Sequence, residues 1–190
     1  MMDVSDTMEQ PDTGEPVESA DGEQLKPWEM PPVMGEFGLR TKRQFCALTS
    51  ITGLEPFGMS KCLGYPIKAT RRWWRDKYMQ PPEVAWKLVE STMRAHLRIV
   101  SQTVSDIEEA YSPETSRILI TWYRSEGEYE RSRVAAGLDA KHAEIMWSIA
   151  DARSRAICTE LMMDGYQVEF LHPGEMPGGH EDGIMAVPLD

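Results

Sequence analysis

At 190 residues, with 41% hydrophobic and 27% charged side chains, the chain has the composition of a soluble globular protein rather than of a disordered one. No apolar run approaches the roughly 20 residues that span a bilayer. Three cysteines, Cys46, Cys62 and Cys158, without a Cys-x-x-Cys spacing argue against a disulfide framework and a zinc site. The formal charge of -11 is unevenly spread: residues 1–39 carry ten acidic side chains against Lys26 alone, whereas residues 40–77 carry nine basic side chains against Glu55 and Asp76. A polyanion responds to local potential, so overall acidity does not exclude nucleic acid.

In chain order, residues 1–36 are rich in Asp, Glu, Pro, Gly and Ser and poor in apolar side chains, which predicts a disordered acidic tail. They lack the basic and apolar regions of a secretory signal, so a cytoplasmic location is expected. Trp28, among prolines, is expected to dock on the folded body. The segment "TKRQFCALTSI" places Phe45, Leu48 and Ile51 on one side of a helix that Gly53 would stop. A short helix follows in "EPFGMSKCLG", with Pro56 suited to its start and Gly64 to its end. Gly58 costs about 1 kcal/mol relative to Ala inside a helix, so this helix must depend on packing.

A third helix is predicted from Pro66 through "IKATRRWWRDK", and Pro81 and Pro82 break it. The run that follows predicts a long helix with Val84, Leu88, Met93, Leu97, Val100, Val104 and Ile107 along one stripe. "SRILITWY" reads as a strand covered on both faces, residues 139–164 as a further helix and "YQVEFL" as a half-buried strand. Two short strands do not make a stable sheet alone, which predicts that pairing across a dimer completes it. Residues 172–190 have the Pro and Gly punctuation of an irregular tail. His172 and His180 lack a third ligand-like neighbour and do not read as a metal site.

A short helix, a glycine turn and a basic helix form a helix-turn-helix arrangement. From Phe45 to Pro82 the chain resembles the YdiL-like helix-turn-helix proteins and their phage-borne relatives, the anti-CRISPR-associated repressors. Ala47, Leu48, Leu54, Gly64, Trp74 and Pro82 carry the resemblance, and Trp147 with the strands around "SRILITWYRSEGEY" and "YQVEFL" extends it over roughly residues 40–171. The chain departs from the family in having Arg75, Asp76 and Lys77 after the tryptophan, Arg71 where an aromatic is common, and Gly58 and Ser60 in the second helix.

The resemblance implies a mainly α fold with a small β component. Residues 37–111 would form a helix-turn-helix domain of the Xre or lambda-repressor type with a long connecting helix, and residues 112–171 an α+β dimerisation module. The implied function is a dimeric transcription repressor acting on an inverted repeat in double-stranded DNA.

On the third helix Lys68, Arg71, Arg72 and Arg75 recur at helical spacing, which places them on one broad face. Lys68, Ala69, Arg71 and Arg72 are candidates for base contacts. Arg can donate twice to a guanine edge, and a methyl can pack on thymine. Thr70, Arg75 and Lys77, with Arg40, Lys42 and Arg43 at the first helix, are candidates for phosphate. Trp74 is expected to anchor this helix in the core. Ile118, Ile120, Trp122, Trp147, Val168 and Phe170 are the expected dimer surface.

The same basic face could take RNA. A competing reading keeps the fold but makes the chain a protein-interaction module of a phage or mobile element, with the acidic tail as a nucleic-acid mimic. Glu126, Glu128 and Glu130 read as a solvated face. With no nucleophile elbow, phosphate-binding loop, dinucleotide fingerprint or His-Glu-x-x-His present, neither an enzyme nor a cofactor is expected.

Overall fold

The computed structural model describes residues 33–135, 146–179 and 183–189, and the expected tail segment 1–32, with Trp28, lies outside them, as do His180 and the first residues of the helix expected from 139. The described part is mainly helical with two small sheets. It opens at the end of the expected tail: β1 (Met34–Gly35) falls within residues 1–36 and pairs with β2 (Gly38–Leu39), in the segment expected as the helix-turn-helix domain, as a short antiparallel hairpin.

Helix α1 (Lys42–Thr52) begins where Thr41 accepts the backbone N–H of Gln44 at 3.1 Å, and stops at Gly53, whose φ of 71° no ordinary side chain favours. Helix α2 (Pro56–Leu63) starts on its proline and ends at Gly64, also left-handed. After Gly64, Tyr65 and Pro66 the chain enters α3 (Ile67–Arg75). The prolines at 81 and 82 then precede α4 (Glu83–Ala110), whose 28 residues extend over roughly 42 Å at 1.5 Å each.

The remaining elements are β3 (Ser116–Thr121), α5 (Glu126–Ala135), α6 (Trp147–Met163), β4 (Gln167–Leu171) and β5 (Ile184–Pro188). The second sheet runs β4-β3-β5, with β4 parallel and β5 antiparallel to the central strand. Strand β5 corrects the expectation of an irregular tail over 172–190 and supplies within the chain the third strand that a partner was expected to provide. Its alternation over five residues is too short to stand out from the surrounding glycines and prolines.

Two apolar clusters form the core, and α4 runs through both. The first gathers Phe45, Leu48, Leu54, Met59, Trp73, Trp86, Val89 and Met93; the second gathers Val100, Val104, Ile107, Ile118, Ile120, Ile157 and Leu161. Ile149 near the start of α6 belongs to the first cluster, so the boundary expected after residue 111 does not divide the two cores. Close approach explains two glycines. A Cβ on Gly53 would lie 2.0 Å from the Ser148 carbonyl oxygen, and one on Gly58 would lie 2.3 Å from Met146 Sδ. Gly58, which weakens α2 as a helix, makes room for the entry to α6.

The inward faces differ in detail from the expected ones. Thr49 and Thr52, not Ile51, join Phe45 and Leu48 on the buried side of α1, and Ile51 is 48% exposed. Each threonine hydroxyl donates to a carbonyl one turn back at 2.9 Å, which satisfies it in an apolar setting. On α4, Val84 and Leu97 are exposed, and Ala85, Trp86, Val89, Glu90 and His96 are buried instead. The β-hairpin is the reason a carboxylate faces inward. Arg40 bonds both oxygens of Glu90, through Nε at 2.9 Å and Nη2 at 2.7 Å, and reaches Glu83 with Nη1.

This bidentate bond holds the Glu90 carboxyl below its ordinary range against the desolvation that opposes it. A carboxylate whose pKa is depressed in the folded state stabilises the fold above its ordinary value, and that stability is lost as the pH falls through the lowered value. Glu90→Gln should therefore cost about 3 kcal/mol near neutrality. The loss should narrow as thermal melts are taken progressively below the ordinary carboxyl value of 4.5. A gap between parent and variant that is the same at pH 7 and at about pH 3 would show that Glu90 is not ionised in the fold.

Candidate nucleic-acid interface

Helix α3 is fixed on one side and open on the other. Thr70 is fully buried, and its hydroxyl lies 3.0 Å from the carbonyl oxygens of both Pro56 and Ile67, tying α3 to the start of α2. Trp73 is 4% exposed and packs edge-on against Tyr65, with ring centroids 5.3 Å apart. Trp74 packs edge-on against Phe45 at 5.0 Å and donates its Nε1–H to the Thr49 hydroxyl at 3.2 Å. The expected single anchor is thus a pair, with Trp73 the more deeply buried. Ser60 adds a bond from its hydroxyl to the Tyr65 carbonyl at 2.5 Å, which closes the turn between α2 and α3.

Lys68, Arg71, Arg72 and Arg75 are exposed on the opposite side, and Ala69 is half-buried at its margin. Arg72 pairs with Asp76 one turn on at 3.1 Å. The carboxyl of Asp76 is held below its ordinary range by the backbone N–H of Tyr78 and by Arg72. Lys68, Arg71 and Arg75 have no ion-pair or hydrogen-bond partner among the described residues, and neither does Arg43 on α1. Lys77 is exposed and sits 4.6 Å over the Tyr78 ring, which leaves its charge turned to solvent.

Three expected phosphate contacts are corrected. Thr70 is buried with its hydroxyl committed, so it cannot reach a ligand. Arg40 is 14% exposed at its side chain and committed to Glu90 and Glu83. The Lys42 ammonium donates to the Asp76 carbonyl, capping the end of α3. Spacing alone does not reveal a buried acceptor, so in the sequence all three have the look of surface donors. Lys61, in the last turn of α2, pairs with Glu126 at 3.5 Å and lies 4.6 Å over the Phe57 ring.

The expected dimer residues fare unevenly. Ile118 and Ile120 are 0% and 1% exposed in the second cluster, because β4 and β5 flank them and helices cover them, so they cannot form a partner surface. Val168 is half-buried against the same cluster. Trp147 is half-buried and donates to the Tyr123 carbonyl at 3.3 Å. Trp122 and Phe170 each remain 38% exposed, though the Trp122 indole donates to Asp151 at 3.0 Å. His172 accepts from Arg124 Nε at 2.8 Å and places Nδ1 3.2 Å from the Trp122 carbonyl oxygen, an arrangement that favours the proton on Nδ1.

Among the described residues no group of three His, Cys, Asp or Glu side chains is placed to hold a metal ion, and no helix is long and apolar enough to cross a membrane. The chain matches no protein-family model, no curated protein and no solved structure.

Thr70→Val separates a packing role from a phosphate contact. Loss of the buried hydroxyl should lower stability by about 1 kcal/mol in denaturant titration. Polyanion affinity, measured on the folded variant, should be unchanged.

Proposed function

We propose that the chain is a sequence-specific DNA-binding regulator of the helix-turn-helix type, with α3 as the recognition helix. The observation that carries this reading is the division of α3: one side pinned by Thr70, Trp73 and Trp74, the other presenting Lys68, Arg71 and Arg75 without acidic partners. Unpaired cations are solvated at little cost in the free protein and are available to displace counterions from a phosphate backbone. A rigid helix of this length fits the major groove, where Arg71 and Arg72 are placed to read guanine and Lys68, Arg75, Lys77 and Arg43 to hold phosphates.

Arg72 must exchange Asp76 for a base edge; an exposed i,i+4 pair contributes only a few tenths of a kcal/mol, so the exchange is cheap. The regulator acts as a repressor on an inverted repeat, as the resembling proteins do. Double-stranded DNA is favoured over RNA because the deep, narrow groove of an A-form duplex does not admit such a helix. Neither catalysis nor a cofactor enters this function.

Two copies are needed for useful specificity, with their α3 helices about 34 Å apart on one face of the duplex. Strand β4 supports this reading: it is an edge strand, and Phe170 on it is 38% exposed beside Trp122. A second reading, a protein-interaction module, is favoured by the nine acidic side chains against one lysine in residues 1–32.

Duplexes selected from a random pool provide the ligand for titration at one fixed salt concentration. Arg71→Ala should cost roughly 1–3 kcal/mol and relax base preference, whereas Lys77→Ala should weaken all duplexes alike. Removal of residues 1–32 should tighten binding, most at low salt, because it removes a like charge from the approach of phosphate. Unchanged affinity in Arg71→Ala and Arg75→Ala, with selected duplexes no better than random ones, would reject the recognition-helix assignment; a chain that never binds DNA but loses a protein partner on the same deletion would establish the second reading.

The oligomeric state is open to light scattering. The full chain should be a dimer, and Phe170→Lys should shift it toward monomer while leaving its melting temperature near that of the parent. A monomeric parent would remove the inverted-repeat part of the proposal.

A further inference from the structure

Every third residue from Asp3 to Asp21 is acidic, and no other side chain in that stretch is charged. With Glu23 and Glu29 the count reaches nine carboxylates against Lys26 in residues 1–32. Acidity alone does not require such a spacing. An α-helix would spread these side chains progressively around its axis, and a strand would alternate them between its faces. A period of three is that of the left-handed polyproline helix, a conformation that Pro11 and Pro16 accommodate. In that form the carboxylates of the repeat fall along one edge, roughly 9 Å apart.

The described chain begins at Val33, close to the end of α3. The Val33 carbonyl accepts the Arg40 N–H at 2.8 Å, and two residues further on Lys42 donates to the carbonyl of Asp76, just past Arg75. The residues before Val33 are thus tethered near the basic face. Fully extended, the 32 residues reach up to roughly 110 Å, whereas the nine residues of α3 extend over roughly 14 Å. That face holds cations that no acid of the described fold answers. Lys68, Arg71, Arg75 and Arg43 are exposed and without partners among the described residues, and Lys77 has no carboxylate beside it.

We propose that residues 3–21 bind in cis along the exposed side of α3 as an extended acidic strap, their carboxylates standing where the phosphates of a nucleic-acid strand would stand. The contact follows from the charges on both sides; that it competes with DNA rests on the reading of α3 as a recognition helix. Each exposed ion pair is weak, but the tether supplies an effective concentration on the order of a millimolar, so several pairs acting together close the face and salt reopens it. Thr70, Trp73 and Trp74 hold α3 in place, so the strap meets its cations already arrayed.

Carbodiimide coupling of the full chain, read by peptide mass spectrometry, tests the contact without DNA, because it joins a carboxylate only to an amine that touches it. At low salt, carboxylates of residues 3–21 should couple to Lys68 and Lys77 several-fold more often than to Lys87, an exposed lysine on α4 between the two glutamates that bind Arg40. The preference should vanish near 1 M salt, where the screening length is roughly 3 Å. Arg71→Glu combined with Arg75→Glu should cut the Lys68 links several-fold while the melting temperature holds, since both side chains are exposed and unpaired. In a mixture of isotopically light and heavy chains the links should stay within one isotope. Coupling to Lys87 as frequent as to Lys68, links that survive the double variant, or links found only between light and heavy copies overturn the strap. An added selected duplex should suppress the Lys68 and Lys77 links. If no duplex binds and the links still form, the strap stands and the recognition-helix reading falls; if duplexes bind through Arg71 and the links are absent, only the strap falls.

Discussion

Phe45 stands between two tryptophans. Its ring meets Trp74 of α3 edge-on at 5.0 Å and Trp86 of α4 edge-on at 5.2 Å, and it is itself fully buried. Each such pair contributes about 0.5–1.5 kcal/mol beyond the area it buries. The pairs also fix angles, since an edge-on contact is lost when either ring tilts. Hydrogen bonds reinforce them: the Trp74 indole donates to the Thr49 hydroxyl, which donates in turn to the Phe45 carbonyl. One residue of α1 therefore sets where α3 lies relative to α4, and with it the direction in which Arg71 and Arg75 project.

The same region is enclosed by an ion pair and by two glycines. Arg40 carries the β1-β2 hairpin onto α4 through Glu90, and its guanidinium lies 5.8 Å over the Trp86 ring. The pair is buried, so its worth lies more in fixing the hairpin than in net stabilisation. A Cβ on Gly35 would fall 2.2 Å from Glu90 Oε1, which makes the hairpin glycine part of that arrangement. Gly53 and Gly58 let the start of α6 reach α1 and α2, so the two cores meet at α6 as well as along α4.

Charge is organised by this packing rather than by composition. Of the basic side chains clustered between residues 40 and 77, Arg40 and Lys42 bind groups of the fold, while Lys68, Arg71 and Arg75 are left to solvent on a helix that cannot easily rotate. A cation on a rigid surface without a partner is the arrangement that an incoming anion meets with the least reorganisation.

The sequence by itself determined the features that act over a few residues. Gly53 and Gly64 end helices because they tolerate a left-handed φ, Pro56 and Pro82 begin or precede them, and the charge of the segment from Arg40 to Lys77 is visible in the residue types alone. The exposed side of α3 followed from its spacing once the helix was placed. Only the tertiary structure decided which polar residues face inward. Thr70 and Arg40 look like surface donors until Pro56 and Glu90 are brought beside them across 14 and 50 residues of chain. It also decided that β5 completes the sheet, which buries Ile118 and Ile120 and leaves Phe170 and Trp122 at the surface. Periodicity records that a side chain lies on one face or the other; which face is covered depends on long-range pairing, and that is settled only when the whole chain packs.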